Sequence, residues 1–360
     1  MTWRSRTGKR LPVGLLRPLR AVRRRLTRRS GRSRRRGPLI LLYHCIDEVF
    51  PDPFSLCVTP EHFAQHLQIL RHQAFPISLR DLAAALGRGE APRRAVVVTF
   101  DDGYADNLSV AKPLLEKFDV PATFFVATGY VDGVGEFWWD LLERILLQPG
   151  TLPERLRLTI DGRPREWDLG AGQTYSEEDF VRWRTWTVAH AADPTPRHPL
   201  YRSLWQSLLP LNAAARQAVV EALRAWAGAP HQGRPNHRAL TAPQLDALAA
   251  AALMEVGGHT VSHPLLAALP FDDQRAEIKG CKKWLEDRLG RPIESFAYPF
   301  GWRSAYTPET MRLVREAGFT RACAASAWVS GRLLELPRVV AGDWDGDEFA
   351  RRLEDLLQPD

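Results

Sequence analysis

Ala95 to Phe100 (AVVVTF) is the most β-branched run in the chain, and it stops abruptly at Asp101, Asp102 and Gly103. Valine and threonine lose rotamer freedom in a helix and pack well on a pleated surface, so the run predicts a central strand that ends in a turn. Two other apolar runs flank it. Pro38 to Tyr43 (PLILLY) reads as a buried strand that ends at His44, and Pro121 to Ala127 (PATFFVA) reads as another. Residues 61–71, 78–87 and about 110–118 carry helical spacing. Strands alternating with helices at this distance predict an α/β fold with parallel strands.

The alternation stops over residues 135–240, which hold seven of the twelve tryptophans and many Leu and Arg at helical spacing. That stretch is expected to be a mostly helical insertion. The rhythm then returns, with helices expected at 242–252 and 271–289 and strands at 253–257, 295–298, 320–324 and 336–340. A helix over 347–360 closes the chain. Residues 39–134 and 241–346 together are long enough for a (β/α) barrel, here one of about seven parallel strands. In such barrels chemistry sits in the loops at the C-terminal ends of the strands.

Charge divides the chain in two. Residues 1–38 hold 15 Lys and Arg and no acid, while the remainder has 34 basic against 42 acidic residues, a net of −8. Within the basic arm Leu11, Leu15, Leu19, Val22 and Leu26 form a helical stripe among arginines, the pattern of a helix lying on an anionic membrane, although Pro18 weakens it. A disordered arm or a start site placed too far upstream gives the same composition. Arg17, Pro18 and Arg20 interrupt the only stretch that could serve as a secretory signal. No apolar run reaches the ~18 residues of a spanning helix. The arginines lack interleaved aromatics and the body is acidic, which argues against nucleic acid as partner. Four scattered cysteines without a Cys-x-x-Cys pair argue against a disulfide framework or a thiolate zinc site and fit a reducing compartment. The expected location is the cytoplasm, with peripheral contact to an anionic membrane through residues 1–38.

Three expected strand ends carry groups capable of chemistry: His44, the pair Asp101 and Asp102, and His259 with His263 in GHTVSH. The two histidines stand four residues apart, a spacing that places both imidazoles on one side of a turn or helix. One carboxylate with two imidazoles is a common catalytic set for zinc or a similar divalent ion. Asp102 supplies the carboxylate, which leaves Asp101 to take a proton from an acidified water. Nucleophilic alternatives fail, because there is no Gly-x-Ser-x-Gly elbow and no phosphate-binding glycine loop.

TFDDGYADN at 99–107, GHTVSH at 258–263 and FAYPFG at 296–301 together resemble the first three motifs of the polysaccharide deacetylases, the carbohydrate esterases that carry the NodB homology domain. The resemblance implies a distorted (β/α) barrel that removes acetyl groups from N-acetylated glycans with one divalent ion, zinc first, cobalt or nickel as alternatives. It implies Asp101 as general base, Asp102, His259 and His263 as metal ligands, and a backbone N–H near Phe300 at the oxyanion.

Two departures follow. The family's third motif often has an arginine that orients the base, where this chain has Ala297, and Arg338 in LPRVV is the substitute candidate. No histidine follows His263 to serve as the late general acid, and LLYHCI at 41–46 resembles the N-terminal Tyr-His strand of poly-N-acetylglucosamine deacetylases, which assigns that part to His44. Tyr104, Pro299, Phe300, Trp302 and Arg338 are expected to meet the substrate. Tyr104, Trp302, Tyr306 and Trp344 would either stack on sugar faces or pack the interior. Two other functions fit the same barrel: a glycan-binding protein that has lost turnover, and a deacetylase of a small amide or a lipid-linked sugar.

Overall fold

A computed structural model describes residues 38–90, 92–325 and 332–357. The basic arm expected to touch membranes lies outside the described residues, apart from Pro38. No helix among the described residues is long and apolar enough to cross a membrane.

The core is a parallel barrel. Its strands are β1 (Leu39–Tyr43), β2 (Ala95–Phe100), β3 (Ala122–Val126), β4 (Met254–Gly258), β5 (Ser295–Ala297), β6 (Arg321–Ala324), β7 (Leu336–Pro337) and β8 (Val339–Val340). The hydrogen-bonded order is β7-β6-β5-β4-β3-β2-β1-β8, and every neighbouring pair is parallel. Arg338 alone separates β7 from β8, so the sheet returns on itself at that residue. Every residue of β1, β2 and β3 is buried. Strands covered by helices outside and by packed side chains inside have no solvent face, which is why their sequences run apolar without alternation.

Helices α1 (Pro60–Gln73), α2 (Leu79–Arg88) and α3 (Lys112–Lys117) cover the first strands. Thr59 and Ser78 cap the first two by accepting from the N–H groups of His62 and Asp81. The insertion brings α4 (Trp138–Leu146), α5 (Glu177–Trp183), α6 (Arg197–Leu208) and α7 (Ala213–Ala227). Helices α8 (Ala242–Ala249), α9 (Phe271–Leu289), α10 (Pro308–Glu316) and α11 (Gly346–Leu357) complete the coat.

The insertion also contains an antiparallel hairpin, Arg155–Ile160 with Arg163–Asp168, that the helical expectation did not include. Its turn is Asp161-Gly162 with φ of 52° and 69°, the left-handed pair of a two-residue hairpin loop. Leu156, Leu158 and Ile160 alternate inward against α7.

Candidate active site

Strand register brings the chemistry together. Tyr43 pairs with Phe100 at the ends of β1 and β2, so His44 and Asp101 leave the sheet side by side, and the Asp101 N–H donates to the Tyr43 carbonyl at 3.0 Å. The chain turns sharply after β2, with Asp102 at φ 72° and Gly103 at φ 83°. A Cβ at Gly103 would press on Val126 at 3.2 Å, so both the angle and the space call for glycine. Two adjacent carboxylates are thereby set in the barrel mouth in different orientations.

Asp101 is gripped by Arg338. Nη1 donates to Oδ1 and Nη2 to Oδ2, both at 2.7 Å, and Nη1 also donates to Thr99 Oγ1 at 3.2 Å. This is the bidentate fork that a planar guanidinium forms with a carboxylate. Burial alone would raise the Asp101 carboxyl, but Arg338, with His259 beside it, holds it below the usual carboxylate range. Arg338 is buried at the join of β7 and β8, and its paired fork faces the carboxylate, so the expectation that it meets substrate is corrected to an orienting contact.

His259 follows β4, whose Gly258 pairs with Val126. Its N–H donates to the Val126 carbonyl at 3.0 Å, and its Nδ1 donates to the carbonyl of Ala297 at 2.8 Å. A carbonyl only accepts, so Nδ1 carries the proton and Nε2 presents a lone pair. That Nε2 lies 3.6 Å from Asp102 Oδ1, and His263 Nε2 lies 3.3 Å from the same oxygen. Burial holds both imidazoles below their usual range, hence neutral near pH 7.

Asp102 Oδ1 is buried and has no hydrogen-bond partner among the described residues. Burial, then the charge of Asp101, pushes the Asp102 carboxyl well above its ordinary value. A buried carboxyl oxygen without a partner is costly, and the two imidazole nitrogens beside it stand where all three can share a cation. The ligand atoms of Asp102, His259 and His263 lie within 4.8 Å of one another, and the three are the only such cluster among the described residues. The donor set fits a divalent ion of the zinc type.

Around this centre the other expected residues divide. His44 is half-buried, and burial pushes its imidazole down to about 4. Pro299 is buried. Phe300, at φ 61°, is half-buried with its ring 4.6 Å from that of His263, and Trp302 packs beside it at 5.0 Å. Gly301 must be glycine there, because a Cβ would meet the Ala325 nitrogen at 2.4 Å. Tyr104 is buried, accepts from Trp139 Nε1 at 2.9 Å and donates to Asp140 at 2.8 Å, so it is a packing residue and not a sugar platform. Tyr306 stacks on Tyr298 and donates to Glu335, and Trp344 packs near Phe349 under Arg352.

The sequence reading missed several contributors. Trp139, from the insertion, sets its ring 4.9 Å from His263. Asn107 donates to the His44 carbonyl at 2.8 Å while Asp106 accepts from the Ile46 N–H at 2.8 Å, and together they tie the end of β1 to the turn after β2. Both belong to the tail of TFDDGYADN, the signal that could have singled them out.

Residues 88–150 and 218–322 match the family model described as polysaccharide deacetylase. The gap in the match, 151–217, falls inside the insertion. The poly-β-1,6-N-acetyl-D-glucosamine N-deacetylase of Staphylococcus epidermidis is 32% identical over 88 residues, which are 24% of this chain and 30% of the relative's own length. The chain thus matches less than a third of that relative. Two solved structures share the fold over 89% of the chain at a TM-score of 0.53. They are the Streptococcus pyogenes deacetylase PplD in complex with acetate, 20% identical and covered over its whole chain, and IcaB from Ammonifex degensii, 18% identical and covered over 97%.

Proposed function

We propose that the chain is a divalent-metal-dependent hydrolase that removes acetyl groups from N-acetylated sugars of a polysaccharide or oligosaccharide. The observation that carries this reading is the Asp102, His259 and His263 donor set standing beside a second carboxylate, Asp101, that Arg338 holds by both oxygens. The glycan class is supported by the name of the Staphylococcus epidermidis relative.

Asp102, His259 and His263 would hold the ion, zinc before cobalt or nickel. When bound, the ion supplies Lewis acidity that polarises the acetamide carbonyl and makes water easier to deprotonate. Asp101 accepts the proton of the attacking water. The Arg338 fork keeps Asp101 ionised and fixes its plane, so little reorganisation is needed when the proton arrives. The backbone N–H near Phe300 is assigned to the developing oxyanion. His44, beside Asp101 across the β1–β2 ladder, delivers a proton to the departing nitrogen. The proton that Asp101 takes from the attacking water replaces the one His44 gives up, so the step balances. The amide C–N bond breaks, and acetate and a free amino sugar leave.

Acetate release from N-acetylated oligosaccharides, measured with metal-stripped protein and again with added Zn2+, tests the reading. Release that requires the metal is expected, and no release from any N-acetylated glycan would contradict it.

We further propose that residues 1–38 contact anionic membranes without a part in the chemistry, on the strength of the leucine stripe among arginines. Deleting residues 1–36 should abolish sedimentation with anionic vesicles and leave acetate release unchanged. Equal sedimentation of both forms would remove the membrane role.

A further inference from the structure

His259 and His263 stand at the two ends of a five-residue loop that the backbone does not favour. Thr260 and His263 have φ of 66° and 52°, left-handed values that residues bearing a Cβ keep only where the surroundings enforce them. Part of that enforcement is local, since Thr260 Oγ1 accepts from the His263 N–H at 3.1 Å. Backbone bonds from the loop after β3 add to it, the Thr128 N–H donating to the Thr260 carbonyl at 3.1 Å and the Gly129 N–H to the Val261 carbonyl at 2.8 Å, and two charged side chains outside the loop converge on Ser262.

On the barrel side, the Glu277 carboxylate of α9 accepts three times: from the Val261 N–H at 2.9 Å, the Ser262 N–H at 2.8 Å and the Ser262 hydroxyl at 2.6 Å. On the insertion side, Arg216 of α7 donates through Nη2 to the Ser262 carbonyl at 2.5 Å. Arg216 is itself buried, with its guanidinium 5.7 Å from the ring centre of Trp138 and a second bond to the Leu211 carbonyl at 3.4 Å. Ser262 is therefore held at its donors by an anion of the barrel and at its acceptor by a cation of the insertion. Hydrogen bonds with an ionised partner are stronger than neutral ones, so the pair can hold a loop that would otherwise relax.

We infer that Glu277 and Arg216 are positioning residues that hold the loop from His259 to His263 in its ligating conformation, so that the insertion sets the metal affinity of the barrel. The inference rests on the reading of Asp102, His259 and His263 as the metal site, and it assigns the insertion a task beyond covering the barrel. Outer contacts that orient metal ligands typically contribute about 10- to 100-fold in affinity.

The test is the Zn2+ dissociation constant of the full chain, read by competition with a chromogenic chelator, for wild type, Arg216→Met, Glu277→Gln and Arg224→Ala. Arg224 lies on the same helix, but its guanidinium is spent on the Pro230 carbonyl and on Glu221 within the insertion. Arg216→Met and Glu277→Gln should each bind zinc about 10- to 100-fold more weakly. Arg224→Ala should lose thermal stability and keep the wild-type affinity. The visible absorption of the Co2+ form should change in the first two variants only. If Arg216→Met fails to fold, Arg216→Lys, which keeps the charge and moves the donor, decides the insertion's part, and Glu277→Gln, which preserves volume, decides the barrel's. Wild-type affinity in both loop variants would overturn the clamp and leave the metal site standing. Equal weakening in Arg224→Ala would also overturn it, by showing general loosening. A wild-type chain that binds no Zn2+ would overturn the site reading and the clamp with it.

Discussion

The two ends of the barrel both bury charge, and they treat it in opposite ways. At the N-terminal ends of the strands, Arg321 donates to Ser295 at 2.6 Å, to Glu255 at 2.8 Å and to Glu294 at 3.2 Å. Glu255 in turn accepts from Ser295 and from Thr123. Every member has a protein partner. At the C-terminal ends, Asp102 Oδ1 and His263 Nδ1 are buried with none among the described residues, and Asp102, Thr260, His263 and Phe300 all sit at positive φ. A polar cluster that satisfies itself holds staves together, whereas one left short of partners, on strained backbone, is arranged for something that arrives from outside. The same contrast between a stabilising and a chemical face is general to parallel barrels.

Substitutions at the two ends should therefore fail in different ways. Asp101→Asn should lose up to about 10⁴-fold in turnover while keeping its metal. Asp102→Asn should lose the metal as well, and elemental analysis showing the reverse would exchange the two roles. His44→Ala should keep fold and metal and lose about 10²- to 10³-fold on an amide, with a smaller loss on an activated acetate ester whose leaving group needs no proton. The same loss on both substrates would make His44 a structural residue. Arg338→Lys, which retains the charge but not the fork, should cost about 10- to 100-fold in kcat through a misplaced base, with KM little changed. At the other end, Arg321→Met leaves the Glu255 charge without its cation and should cost about 3 kcal/mol of stability, read as a lower denaturation midpoint, with zinc affinity untouched. A loss of metal in that variant would break the division between the two ends.

Much of the site was legible because strand ends announce themselves. AVVVTF stopping at Asp101, PLILLY stopping at His44 and the two histidines after the Leu253–Gly257 run are local patterns, and parallel register then guarantees that such ends share one face. Arg338 was legible as a candidate for a related reason: a lone arginine between two apolar pairs in LPRVV has to point somewhere. Its fork on Asp101 depends on the sheet closing at that residue, a long-range fact that no window of sequence contains. The barrel's contacts with the insertion were hidden for the same reason, since Arg216 and Ser262 are 46 residues apart and Trp139 and His263 farther still. The hairpin was missed despite a usable signal, Asp161-Gly162 between alternating residues, because the surrounding Trp, Leu and Arg suggested a helical period. Tyr104 shows another limit. An aromatic in a motif loop looks the same in sequence whether it faces sugar or, as here, the insertion.

Deacetylation should depend on a metal ion held at the unsatisfied end of the barrel. Stepwise addition of Zn2+ to the metal-stripped full chain, with bound metal and acetate release followed together, tests it most directly. Release should climb in proportion to bound zinc and level off at one ion per chain, and His263→Ala should neither bind nor release. Full release by the stripped protein, or by His263→Ala, would contradict it.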